Sequence, residues 1–434
     1  MDDSTLKYTD TITWLFDLQF FGIKLGLENI REMAARMGDP QRAFHVLHVA
    51  GTNGKGSTGS LIAAVLQSAG YRTGLYTSPH LVDFSERIRI DGQPIDEATV
   101  VRIAAELRPD VERLNATFFE ATTLMAFLHF ARNAVDVAVI ETGMGGRLDA
   151  TNIVEPLCCA ITNVAMDHTE YLGESIEEIA MEKAGIIKHG IPVVVGPVDE
   201  SVLHGIRARA LEQHAALFEA DPAQVISWKD FERMTCALPA PSGNVAVGLV
   251  GSHQASNVGT ANAVLRILRE RGLNRIDEKA IRVGFANVRA LTGLRARLQQ
   301  YCSDPELVVD VAHNPDGIRK MLDAWCGIRD PRKTHAVFGV LKHKDIFGIL
   351  SILASVPFRS LTLVQPKVRE AASLDDLARR VRDGRLVLRT AAGVCEGVHE
   401  ALRHAGGEPV LLFGSHYVVG EFFAEWEKNP TKRT

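Results

Sequence analysis

Short apolar runs recur along this chain: Val46–Ala50, Val135–Ile140, Cys158–Val164, Pro192–Gly196, Leu307–Val311, Ala336–Val340, Leu361–Val364 and Pro409–Phe413. They are continuous in character, which suits parallel strands buried on both faces. Helical stretches separate them, among them Ser57–Ala69 and Ser175–Ile187. This alternation predicts an α/β fold. No repeat, low-complexity tract or heptad pattern interrupts it. The strand pattern restarts near Leu307, after the basic, glycine-containing stretch RALTGLRARLQ at 289–299. A domain boundary is expected there, with a larger domain over 1–293 and a smaller one over 294–434.

Composition narrows the class. The 434 residues are 46% hydrophobic and 23% charged, ordinary for a soluble globular protein and long enough for about two or three domains. A net charge of -5 gives no reason to expect a general nucleic-acid binder. The opening MDDSTLKYTDTITW is acidic and polar, so a signal or transit peptide is not expected. No apolar run approaches the roughly 20 residues that span a bilayer. Cys158, Cys159, Cys236, Cys302, Cys326 and Cys395 form no CxxC pair. Reduced thiols in a cytoplasmic protein fit that scatter better than a disulfide frame or a zinc site.

The stretch with most chemistry is LHVAGTNGKGST at 47–58. A strand ends at Ala50 and a helix begins near Ser57. Glycines between them let backbone N–H groups approach an anion, the helix N-terminus adds positive potential, and Lys55 supplies a point charge. The string departs from G-x-x-x-x-G-K-[ST], because Val49 stands at the first glycine and Gly56 follows the lysine. A plain Gly-rich strand–helix turn is the bland alternative. Strand, loop, lysine and helix arriving together favour phosphate binding.

Other strand ends carry candidate ligands. Ser78 and His80 stand in TSPH, Glu141 opens the loop TGMGGRLDATN, and Asp167 and His168 follow AITNVA. Each falls where the crevice of an open α/β sheet forms. Serine and glutamate oxygens suit Mg²⁺, histidine less so. Taken singly, Ser78 before Pro79 reads equally as turn chemistry, Glu141 as a partner of Arg147, and His168 as a cap. Their common placement favours a site.

HVAGTNGKGST, TSPHLVDFSERIRI, FFEATTLMAF, IETGMGGRLDATN, ITNVAMDHTEYLG, EKAGIIK and DVAHNP resemble, in order and over nearly the whole chain, the folylpolyglutamate synthase/dihydrofolate synthase family of the Mur ligase superfamily. The resemblance implies a P-loop ATPase domain and a Rossmann-like ligase domain with the site between them. It implies ATP-dependent amide formation through an acyl phosphate, with L-glutamate added to folate, and also to dihydropteroate. It places ATP on Thr52, Asn53, Gly54, Lys55, Gly56 and Ser57, and on Asn257, Arg297, Asp310 and His313, with Arg295 a competitor for the role of Arg297. One Mg²⁺ is implied at Ser78 and Glu141, and a second at Glu141 and His168. Acceptor contacts are implied at Leu148, Asp149, Ala150 and Ser415. A monomer is expected.

Two departures bear on the acceptor. Lys24 stands in IKLGLE where bifunctional members often carry an aspartate, and His343 precedes Lys344 and Asp345 where DKD is frequent. A cationic Lys24 cannot accept pterin N–H groups as a carboxylate does. A peptidoglycan-type Mur ligase ranks lower, since only about fifty residues precede Gly51, few for a separate domain. A GTPase switch ranks lower still, because no NKxD string is present. Lys183 lies four residues after Ile179 on a helical stretch whose apolar face holds Ile176, Ile179, Ala180 and Ala184. It reads as a lysine that snorkels or pairs with Glu178 or Glu182. The resemblance instead implies an N6-carboxylysine formed with CO₂ that helps hold the second metal.

Overall fold

The computed structural model describes residues 3–18, 26–239, 242–381 and 387–428. The α/β expectation holds, and the described strands form three sheets. The largest has eight strands in the spatial order Gln93–Pro94, Ile88–Ile90, Thr73–Tyr76, Val137–Glu141, His45–Ala50, Cys158–Ile161, Val193–Val195 and Leu217–Glu219. From Thr73–Tyr76 onward the pairing is parallel, and the first two strands return antiparallel at the edge. His45–Ala50 lies between Val137–Glu141 and Cys158–Ile161, with Val49 level with Glu141 and Ala50 level with Ile161. The carboxyl ends of three neighbouring strands therefore open side by side, where open α/β sheets place their ligands.

The helix after the first strand runs Lys55–Ser68, and Ser57 through Leu66 are buried on every side. This follows from its sequence, small and apolar all round. It packs between the sheet and the helices Ser252–Glu270 and Glu278–Ala286. Ser175 and Thr117 begin the helices Ile176–Ala184 and Phe118–Arg132 with reciprocal caps to Glu178 and Glu120. Such a box satisfies two otherwise orphaned donors at each start.

The second large sheet has six strands, ordered Gln299–Ser303, Glu306–Val309, Val410–Phe413, His335–Phe338, Ser360–Val364 and Val387–Ala391. All but the first are parallel. A small antiparallel sheet, Gln224–Trp228, Met234–Leu238 and Gly243–Val247, has no counterpart among the sequence expectations. Its strands are five residues long and only Met234–Leu238 alternates strictly in burial, too short a pattern to stand out. Its turn residue Phe231 stacks on Trp325, with ring centroids 5.1 Å apart and planes 19° from parallel. Trp325 belongs to the helix Pro315–Cys326 of the six-stranded layer, so the two large sheets share one continuous apolar core.

Several runs are trimmed as strands. Cys158–Val164 stops at Ile161, because Thr162 turns to bond the loop beside it. Val135–Ile140 starts at Val137, after Ala134 takes a left-handed φ of 49°. Among the described residues no helix is long and apolar enough to cross a membrane.

Gly284 lets the helix Glu278–Ala286 lie against Lys55–Ser68. A Cβ there would come within 2.6 Å of Val65 Cα and N. Gly284→Ala should lower stability by about 1–3 kcal/mol through overpacking, despite alanine's better helix propensity. Thermal or urea unfolding checks this; an unchanged midpoint would show that the two helices separate freely.

Candidate active site

The phosphate loop is held on three sides. Gly51 approaches Thr162 so closely that a Cβ would lie 2.0 Å from its Oγ1, and a Cβ on Gly54 would lie 2.3 Å from Asn257 Oδ1. Gly54 caps the helix with φ 83°, a conformation that suits glycine. Thr162 Oγ1 donates to Asn53 O (2.6 Å), and Thr52 Oγ1 both donates to Ala165 O and accepts from Ala165 N at 3.0 Å. The Lys55 ammonium arches back to Gly51 O (3.0 Å) and Thr52 O (3.3 Å). Ser57 is buried in the first helical turn. Free N–H groups at a helix start with a lysine over them are a ready anion seat.

Glu141 ends its strand inside the same cleft. Burial pushes its carboxyl up to about 7, opposed by Lys55, Arg297, a backbone hydrogen bond from Ser78, and Arg87. Its Oε2 is buried without a hydrogen-bond partner. Lys183, 2% exposed, lines the cleft from the last turn of its helix. Burial brings its ammonium down to about 7; Lys55 adds to this, and Asp167 and Asp149 resist it. His168 takes a left-handed φ of 53° with its side chain 38% exposed, and partial desolvation in the cleft together with Lys344 lowers its pKa and favours the neutral ring. Lys344 donates to Asp167 Oδ1 (2.8 Å) and lies 3.4 Å from His168 Nε2. Burial opposes ionisation of Asp167, yet Lys344, His168 and His313 hold it well below the usual carboxylate range.

Residues beyond 294 close the cleft from the other side. Its volume is about 320 Å³, and Arg297, Asp310, His313, Lys320 and His416 line it together with Lys55, Ser78, Glu141, His168, Lys183 and Asn257. Arg297 reaches inward: a Cβ on Gly56 would meet both its Nη2 and Glu141 Oε2 at 3.5 Å. Arg295 pairs instead with Glu427 and stacks over Phe423, 3.8 Å from the ring centre. Asp310 accepts from Leu298 N and Ala312 N, both 2.7 Å. His313 Nδ1 faces Val311 O at 2.9 Å.

Some sequence candidates fall elsewhere. Leu148, Asp149, Ala150 and Ser415 lie outside the lining of this cleft. Asp149 is buried, and its carboxylate accepts from Met144 N (2.9 Å), Thr151 N (3.0 Å) and Thr151 Oγ1 (2.5 Å), so it braces its own loop. Ser415 Oγ accepts from Val418 N at 3.1 Å at the start of the helix His416–Lys428. Asp345 caps the helix Ile346–Ser355, and the His343 ring stacks with His168 at 6.4 Å. Lys24 lies outside the described residues. Sequence reasoning passed over His416, Lys320 and Asn163. His416 follows Ser415 directly after an apolar strand, the one signal that pointed to it.

A Mg²⁺ fits the donor set. Among the described residues no three His, Cys, Asp or Glu side chains cluster closely enough to cage a metal. Magnesium typically takes one or two carboxylates and completes its shell with water and phosphate. The orphaned Glu141 Oε2 is the oxygen such an ion lacks elsewhere in the cleft.

The Mur ligase middle domain matches residues 49–265, and the Mur ligase glutamate ligase domain matches 296–416. Fold and site thus define a Mur-type, ATP-dependent ligase. Bacillus subtilis dihydrofolate synthase/folylpolyglutamate synthase is 36% identical, over 80% of this chain and 83% of that protein. Mycobacterium tuberculosis folylpolyglutamate synthase, solved with ADP and AMPPCP, superposes with a TM-score of 0.87 at 30% identity, covering 100% of this chain and 99% of that one. Escherichia coli FolC, solved with DHPP and ADP, gives 0.84 at 31% identity, over 98% of each chain. The chain belongs to the dihydrofolate synthase/folylpolyglutamate synthase family.

Three histidines, His48 fully buried and His253 and His313 half-buried in the cleft wall, tie stability to pH. Burial, aided by Lys188, Lys320 and Lys344 respectively, lowers His48 to about 3, His253 to about 4 and His313 to about 4. Below pH 6.5 the unfolded chain binds these protons and the folded chain does not, so stability should fall on acidification from about 6.5 toward 4, by up to about 1.4 kcal/mol per pH unit for each histidine. His48→Gln should reduce that slope by about one proton. Urea midpoints from pH 8 to 5 check it; a flat profile would contradict the neutral, buried assignment.

Proposed function

We propose that this chain adds L-glutamate to the terminal carboxylate of folate-type acceptors, tetrahydrofolates foremost, and also to dihydropteroate, by way of an acyl phosphate. The observation that carries the reading is the convergence, in one cleft, of the phosphate loop, Glu141 and Lys183 with Arg297, Asp310 and His313 from the opposite side. A carboxylate is a poor electrophile, so it must first take the γ-phosphoryl group of ATP; the amino group of glutamate, once deprotonated, then attacks the acyl carbon and phosphate departs. Phosphoryl transfer asks chiefly for positioning and charge neutralisation. The N–H groups from Gly54 to Ser57 and the Lys55 ammonium supply both at the phosphates. Arg297 brings a guanidinium to the same point from beyond the linker, so domain closure completes the site.

Mg²⁺ held by Ser78 and Glu141, and a second held by Glu141, His168 and Lys183, would neutralise the phosphate oxygens and draw the acceptor carboxylate to them. The chemistry of Lys183 supports its role as a carbamate. A buried amine brought down to about 7 is substantially neutral at physiological pH and therefore nucleophilic toward CO₂. The product is an anion offering oxygens where the ammonium offered repulsion. Thr52 spends its hydroxyl on Ala165 and its backbone N–H on Asn163 O (3.0 Å), so it braces the loop, and the phosphate donors begin after it. Asn257 sits against Gly54 in the cleft lining, which supports its assignment to the nucleotide. ATP dependence and six free cysteines support a cytoplasmic setting.

Lys55→Ala should leave a folded protein whose ATP-dependent phosphate release, with glutamate and a panel of pteroates and folates, falls by about a hundredfold or more. Near-normal release would remove the phosphate-loop assignment. In the same panel, turnover of dihydropteroate without tetrahydrofolate would reverse the acceptor ranking. Lys183→Ala should also lose turnover, and ¹³CO₂ labelling of the active protein should give a carbamate resonance that this variant lacks. A fully active enzyme without that resonance would end the carbamate assignment.

A further inference from the structure

Asn53 stands inside the phosphate loop, yet its side chain faces away from it. Its Nδ2 donates to Asn314 Oδ1 (3.1 Å) and Asp316 Oδ2 (2.9 Å), and its Oδ1 accepts from Asn314 Nδ2 (3.0 Å). A primary amide carries two N–H donors, and both are spent. The backbone N–H of Asn53 donates to Asn163 Oδ1 (2.7 Å), and Asn163 Nδ2 reaches Asp316 Oδ2 in turn (3.2 Å). Lys320 holds the same Asp316 oxygen from its own helix at 2.9 Å. One carboxylate oxygen thus gathers donors from three segments: the phosphate loop, the end of the neighbouring strand, and the helix Pro315–Cys326. Asn314 Nδ2 extends the chain of contacts to Asp167 Oδ2 (3.1 Å), whose other oxygen takes Lys344.

We propose that Asn53 and Asp316 form a clasp between the two layers, and that they are positioning residues: Asn53 senses through Asp316 whether the six-stranded layer is docked, and Asp316 holds Lys320 beside the phosphate loop. The side chain of Asn53 is not a nucleotide ligand. This differs from the sequence expectation, which placed Asn53 among the ATP contacts. If the second layer swings away, the Asn53 side chain loses Asn314 and Asp316, while the rest of the loop keeps Thr162, Asn163 and Ala165. The Asn53 side-chain contacts and docking are therefore two readouts of one equilibrium. Only the turnover arm of the following test rests on the ligase reading; the scattering and ADP-binding arms need no acceptor.

The test uses Asp316→Ala, Asn53→Ala, the double variant and Asp316→Asn in the full chain, with circular dichroism confirming the fold. Each alanine variant should lower kcat by about tenfold. ADP affinity, measured by calorimetry, should fall by the same factor in Asn53→Ala and in Asp316→Ala, because both act only through docking of the layer that carries Arg297, Asp310 and His313. The double variant should be no worse than the more impaired single one, as expected for two residues acting through one contact. Asp316→Asn should recover most of the loss, since its amide oxygen still accepts from Asn53 and Asn163. Small-angle scattering without nucleotide should give the docked radius for the unaltered chain and a larger one for both alanine variants. Multiplying effects in the double variant, or a fall in ADP affinity on Asn53→Ala that Asp316→Ala does not share, would make Asn53 a nucleotide ligand and overturn the proposal. So would unchanged scattering with unchanged kcat in Asp316→Ala. If the unaltered chain turned over no acceptor, the ligase reading would fail, and scattering with ADP binding would still decide the clasp.

Discussion

A backbone must pass between Thr162 and Asn257 with no room for a side chain, and the rest of the site hangs on that passage. Gly51 and Gly54 are the two points of contact, at distances a β-carbon cannot occupy. Because the loop lies that close to the neighbouring strand end, Thr162 and Ala165 can bond it directly, and its N–H groups keep a fixed direction. The helix that follows is committed to the interior by the same geometry. Its small and apolar residues fill the space beneath the sheet, so the phosphate seat stands on a fully packed element and not on a surface loop.

Low dielectric does the next part. Lys55, Lys183, Arg297 and Lys320 converge on a cleft that also holds Glu141, Asp167 and Asp310. Desolvation moves Glu141 up and Lys183 down, both to about 7, so each sits near its neutral form until a charged ligand arrives. Asp167 behaves otherwise, because Lys344 comes across from the other layer to meet it. The cleft is thus electrostatically incomplete by itself, and docking of the second layer supplies part of its charge.

The strand ends were legible because a buried parallel strand writes itself as a continuous apolar run, and the catalytic candidates stand immediately after such runs. Lys183 was legible as a position on an apolar helical face, and the structure puts it 2% exposed. The choice between Arg295 and Arg297 was not. Two residues apart in a linker, they are equivalent in pattern, and left-handed turns at Ala296 (φ 56°) and Leu298 (φ 41°) send one outward to Glu427 and the other into the cleft. Asp149 was expected to meet the acceptor only through the family resemblance; its three hydrogen-bond donors come from within its own loop and become visible only when the loop is closed.

By itself the sequence determined the α/β class, the phosphate loop and the line of strand-end candidates, because these depend on periodicity and on what glycine and lysine do locally. The tertiary structure decided which candidates meet. Asn53, Asn163 and Asp316 come from segments more than a hundred residues apart, and the bonds of the two asparagines to Asp316 exist only after the two layers have packed through Phe231 and Trp325. The small antiparallel sheet that makes this packing carries a pattern too short to read. A hydrogen bond needs both partners within about 3 Å, and no local pattern encodes where the second partner will be.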